Sequence, residues 1–77
     1  QGAALYAARL RPGVSVELPA AAFVHVFIAR GTVDLEDTGP LDTGDAARMT
    51  AAGGQRVTAG STGAEVLVWE MTARLAG

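Results

Sequence analysis

The chain has neither cysteine nor lysine among its 77 residues. Without cysteine it has no disulfide and no thiolate metal site to compensate for a small core, and redox usage leaves its compartment unmarked. Without lysine, its basic residues are six arginines, set against eight carboxylates for a formal net charge of −2. The charges are scattered and the longest run of one sign is Glu36-Asp37. The basic stripe that nucleic acid requires is missing, so no nucleic-acid partner is expected. Long apolar runs are missing too. The run Ala20 to Val24 is interrupted by His25, far short of the ~20 residues of a spanning helix, so no membrane partner is expected. No charged segment followed by an apolar one opens the chain, which is therefore expected in the cytoplasm. Gln1 stands where a Met would open a reading frame, which suits a chain that begins inside a longer one.

Half of the residues are apolar, but 16 are alanine and only 22 positions carry a large apolar side chain. Residues 1–77 make a single domain with a thin core. A domain of about 60 residues buries only ~60% of its unfolded surface, so a partner surface or a neighbouring domain is expected to add burial. Glycine and proline punctuate the chain at Pro12-Gly13, Pro19, Gly31, Gly39-Pro40, Gly44, Gly53-Gly54, Gly60 and Gly63. The apolar segments between them are too short for most helices and read as the strands of a sandwich or barrel.

About seven strands follow from the alternation. Leu5 to Leu10 is the first, with a helix as its rival because alanine is the best helix former. Val14 to Leu18 puts Val14, Val16 and Leu18 on one face. Phe23 to Arg30 reads as a central strand covered on both faces, after which Gly31 allows a tight turn or a bulge. Thr32 to Glu36 turns Val33 and Leu35 inward. Glu36 to Gly44 is polar and turn-rich. Asp45 to Thr50 and Gln55 to Ala59 are short strands, and Gly60 to Gly63 reads as a hairpin turn. Ala64 to Met71 sets Val66 and Val68 against Leu67, Trp69 and Met71, again covered on both faces. Thr72 to Ala76 is a short helix start or a frayed tail.

The residue chemistry is sparse. His25 is the only histidine, whereas a histidine metal site needs several donors converging in space. Between Phe23 and Phe27 on its strand face, it reads as a packed side chain. Asp34, Glu36, Asp37, Asp42 and Asp45 lack the alternating spacing and terminal glutamate of a calcium loop and read as a solvated face. Gly60-Ser61-Thr62-Gly63 has no lysine and no following helix, as a phosphate loop would. Ser15 and Ser61 have no nucleophile-elbow context. No catalytic residue is assigned.

Several strings together do resemble a family. They are Ala4-Leu5-Tyr6-Ala7-Ala8-Arg9-Leu10, Pro12-Gly13, Val16-Glu17-Leu18-Pro19, and Val24-His25-Val26 through Arg30-Gly31. Leu41 to Ala47 and Ala64-Glu65-Val66-Leu67-Val68-Trp69-Glu70 continue the match. In order and spacing they resemble the C-terminal cupin domain of pirin-like bicupins, the group that includes bacterial quercetin 2,3-dioxygenases. The resemblance implies an all-β, cupin-like jelly-roll barrel, half of a two-cupin protein. In that family the N-terminal cupin holds a metal ion on three histidines and a glutamate. Here Pro19, Ala20 and Ala21 fall near the first ligand motif, Val24 near the glutamate place, and Ala47 where the second motif has its histidine. The resemblance thus implies no cofactor in this domain and a metal in the N-terminal cupin.

The expected role is a non-catalytic, metal-free domain packing on an N-terminal cupin or on a second copy of itself. Phe23, His25, Phe27, Trp69 and Met71 are the expected interface. Two further readings are a metal-dependent quercetin 2,3-dioxygenase in which this domain shapes the site, and a stand-alone barrel that binds a small ligand at its mouth.

Overall fold

Two long strands organise the molecule. The computed structural model describes residues 3–71, all of whose regular structure is β: β1 (Ala3–Leu10), β2 (Ser15–Glu17), β3 (Ala21–Leu35), β4 (Gly39–Leu41), β5 (Ala46–Ala52) and β6 (Arg56–Met71). Strands β3 and β6 run antiparallel from Phe23 opposite Met71 to Leu35 opposite Val57. Their register shifts twice, between Ile28 and Arg30 and between Gly31 and Val33. Such bulges bend a strand and increase its twist, and here they divide one sheet into two halves. The first half runs β1, β6, β3, β5, and the second runs β2, β6, β3, β4. All pairings are antiparallel.

Alternation along the two long strands builds the core. Val24, Val26 and Ile28 on β3 and Ala64, Val66 and Val68 on β6 line the inner face of the first half. Val33, Leu35, Val57 and Ala59 continue it in the second, with Leu10, Leu18 and Leu41 joining the same buried cluster. Burying each large side chain contributes about 1.5–3 kcal/mol. No charged or polar residue is buried among the described ones.

The glycines at the bend depart from the sequence reading. Gly31 and Gly63 both take positive φ, 81° and 79°. A Cβ on Gly31 would overlap the Gly63 carbonyl oxygen, and one on Gly63 would lie 2.7 Å from the Leu10 carbonyl oxygen. Three backbones meet here at a distance that only glycine tolerates. Gly60 to Gly63 is therefore no hairpin turn: it lies within β6 at a register shift, and Gly31, paired with Ala64, sits between the two shifts of β3. Each pair of expected strands fuses into one, while the polar stretch after Glu36 contributes the short β4, giving six strands for the seven expected. The first segment is a strand and not a helix. Val14 does not point into the core but is exposed, and β2 begins after it. Thr72 to Ala76 lies outside the described residues.

The central strands are not covered on both faces either. Their inner residues are sealed, but Phe23, His25, Phe27, Leu67, Trp69 and Met71 are half-buried. No second layer of described residues lies over them, because every strand belongs to the one sheet that wraps the inner side. An apolar run on both faces of a strand signals burial that the described residues supply on one side.

Candidate functional site

The outer face of the first half-sheet gathers the residues singled out in the sequence. Side chains of directly opposed residues in an antiparallel sheet lie on the same face, so the register gives their arrangement in rows. Met71, Phe23 and Thr50 form the first row. Leu5, Trp69, His25 and Arg48 form the second, and Ala7, Leu67, Phe27 and Ala46 the third. Arg9, Glu65 and Arg30 close the far end. Phe23, His25, Phe27, Trp69 and Met71 are thus brought together on one surface.

His25 packs edge-on against Trp69, with ring centroids 5.3 Å apart and planes at 72°. This is a favourable aromatic geometry, and it turns the imidazole away from the inner face of Val24 and Val26. Leu5 is the most open large apolar side chain among the described residues, at 58% exposure. At the corner of the face, Phe23, His25, Arg48, Met49, Thr50 and Met71 line a depression of about 600 Å³. At the other end a hollow of about 340 Å³ lies between Arg9, Arg30 and Glu65. There Arg9 Nε donates to Glu65 Oε2 at 2.9 Å.

Sequence reasoning missed Leu5, Leu67, Arg30, Arg48 and Glu65 as parts of this face. The alternation on β6 already put Glu65 and Leu67 beside Trp69 and Met71. The other three depend on strand pairing.

Among the described residues the inner side gathers no group of three or more His, Cys, Asp or Glu side chains that could hold a metal ion. Val24 is sealed in the core, and Ala47 lies opposite Val26 on β5. Asp34, Glu36, Asp37, Asp42 and Asp45 are all exposed. The Asp45 carboxylate accepts the Asp42 amide at 2.8 Å and so closes its own turn. Val24 and Ala47, to which the resemblance carries two of the cupin ligand places, have no donor atom in their side chains.

Two polar pairs lie away from the outer face. Ser15 Oγ and Thr58 Oγ1 are hydrogen-bonded at 2.7 Å between β2 and β6. The Tyr6 hydroxyl donates to Glu70 Oε1 at 2.9 Å. That hydrogen bond, and the carboxylate charge behind it, hold the Tyr6 phenol above its ordinary pKa of 10.0. Among the described residues no helix is long and apolar enough to cross a membrane.

Comparison with known proteins agrees with this geometry. A family model described as the quercetinase C-terminal cupin domain matches residues 1–71. Proteins named "Putative quercetin 2,3-dioxygenase" in Mycobacterium bovis and Mycobacterium tuberculosis are 51% identical over 73 residues. The match takes in 95% of this chain and 30% of theirs, so the chain spans less than a third of these curated relatives. Among solved structures, the cupin domain of an XRE-family transcriptional regulator from Enterobacter cloacae is similar with a TM-score of 0.76. It covers 95% of this chain and 84% of that one at 16% identity, a likeness of fold alone.

Proposed function

The chain belongs to the quercetinase C-terminal cupin domain family, and from that membership we propose that it is a non-catalytic, metal-free cupin domain. It packs through the outer face of its first half-sheet on a metal-bearing N-terminal cupin of the same protein. The observation that carries this reading is the opposition of the two faces. The inner face is filled by aliphatic side chains where a cupin would hold its ion. The outer face carries Phe27, Leu67, Trp69 and Met71 without a covering layer of described residues. Apolar patches of a few hundred Å² mark interaction sites. The curated relatives are several times longer than the matched segment, which leaves room in them for such a partner.

Two measurements test the proposal. The mass of the native protein in its source cell is expected to be several times that of this chain; a native mass equal to it would remove the neighbour. Dialysis of the chain against Fe(II) or Ni(II), followed by metal analysis, is expected to leave no stoichiometric ion. One retained ion per chain would overturn the metal-free reading.

The names of the 51%-identical relatives favour a second reading, in which the whole protein is a metal-dependent quercetin 2,3-dioxygenase and this domain shapes its site. Flavonol turnover by the metal-loaded whole protein, lost when this domain is removed, is the expected result. No turnover of any flavonol by the metal-loaded protein would sink it.

A further inference from the structure

We infer that the outer face receives a covalently tethered domain with an apolar centre and carboxylates at its rim, opposite Arg30 and Arg48, and does not receive a second copy of this chain. The inference rests on the proposed function and names the chemistry of the partner surface.

Charge is the first argument. Among the described residues the face carries three cations, Arg9, Arg30 and Arg48, and one anion, Glu65, which is taken by Arg9. Arg48 ends the second row on β5 and Arg30 stands in the last row on β3, and neither makes an ion pair among the described residues. The chain is nevertheless acidic in sum. Its other carboxylates lie outside the four rows: Glu17, Asp34 and Glu36 on or beside strands of the second half, Asp37 and Asp42 in turns, Asp45 with its carboxylate taken by the Asp42 amide, and Glu70 on the inner side. A two-fold dimer applies the same patch to itself. It would bring a cation-rich face against its own image, with no uncommitted carboxylate to meet either arginine. Like-charge juxtaposition of this kind selects against a partner.

Area is the second. Four strands about 4.8 Å apart and about six residues of 3.4 Å make a face of roughly 400 Å². Stable association of separate proteins takes about 800 Å² from each partner. Interfaces between domains of one chain bury about 600–1,500 Å² in total, a range that two faces of this size enter. A tether converts docking into an intramolecular event at an effective concentration of order mM, and so a small face with few charge pairs suffices.

Hydroxyl-radical footprinting of the whole protein tests the inference, with oxidation of Trp69 and Met71 read by mass spectrometry against the exposed Tyr6. In the unaltered protein both residues are expected to be protected, less so as salt is raised. The double charge reversal R30E/R48E is expected to raise their oxidation several-fold, while R30K/R48K keeps the protection. Leu67→Asp, aimed at the apolar centre, serves as the control for docking itself. If L67D exposes the face and R30E/R48E does not, the carboxylate rim is wrong and the packing proposal stands. If Trp69 and Met71 are as reactive as an open surface in the unaltered protein, both fail. Protection that rises with protein concentration, together with a dimer in sedimentation, would identify a second copy as the occupant and overturn the inference.

Discussion

Replacing Gly31 by alanine should cost this protein far more than the same change at Gly44. Both glycines have positive φ, 81° and 89°, and a left-handed conformation costs an L-residue about 1–2 kcal/mol. They differ in what surrounds them. An added Cβ at Gly44 would meet nothing within 4 Å, whereas one at Gly31 would overlap the Gly63 carbonyl oxygen and lie 2.9 Å from the Ala64 Cα. Those neighbours are backbone, so no side-chain rotation relieves the overlap. The bulge must open, and with it the pairing between β3 and β6 at the bend. A loss of about 1 kcal/mol is expected for Gly44→Ala and about 3 kcal/mol or more for Gly31→Ala. At roughly 0.05–0.15 kcal/mol per residue, the whole domain is stable by about 4–12 kcal/mol, so the second change removes a quarter or more of the total. Thermal unfolding followed by far-ultraviolet circular dichroism should show Tm falling by about 4–8 °C for Gly44→Ala and about 12–24 °C for Gly31→Ala. Equal shifts would refute the argument that the close approach of three backbones, and not φ alone, requires glycine at the bend.

In the core, Ile28 is fully buried; Ile28→Val should cost about 0.5–1.5 kcal/mol and Ile28→Ala about 2–5 kcal/mol in urea unfolding. Arg9 is 85% exposed in its ion pair with Glu65, so Arg9→Ala should change stability by less than about 1 kcal/mol; a larger loss would show that the pair does more than decorate the surface. The raised Tyr6 pKa means that the folded state holds the phenolic proton more tightly than the unfolded one. Its contribution to stability is complete below the unfolded value of 10.0 and is lost as pH climbs through the raised value. Glu70→Gln should move the Tyr6 titration downward, read by ultraviolet absorbance of the chain's one tyrosine.

The parts of the fold that repeat every two residues were readable directly. Val33 and Leu35, and Val66 and Val68, alternate with polar or outward side chains and occupy the core as expected. Phe23, His25, Phe27, Trp69 and Met71 share a surface because each set keeps one parity and the two strands carrying them pair. Glycine was harder to read. A Gly-Ser-Thr-Gly stretch signals positive φ or a close neighbour, and a hairpin turn and a pinched strand need both alike. Only the register opposite Gly31 separates the two. Arg30 shows the same difficulty in another form. Unbroken alternation puts it inward with Val26 and Ile28, but the bulge at Ala29 reverses parity and delivers it to the outer face beside Glu65. Leu5 sits between two strands' worth of alanine, and its side is fixed by Trp69, 64 positions away. That Val24 and Ala47 stand where a cupin's ligands would is an expectation of the resemblance alone, since nothing in either residue by itself speaks of a metal.

The last strand in the described chain is also the one that β1, β2 and β3 all pair with. A nascent chain emerging from the ribosome can therefore close only the β3–β4 and β3–β5 pairings of its sheet before β6 is made. Until then β1 and β3 have no β6 to dock on, and their apolar residues stay open to other nascent chains or to chaperones. Once β6 arrives, contacts as distant as Tyr6 with Glu70, separated by 64 positions, must close together, which places folding in the slow, millisecond-to-second regime of non-local β-topologies. Synthesis order thus makes this domain complete its sheet late, and a stop or frameshift at the start of β6 removes the partner of three strands and not only the chain's end.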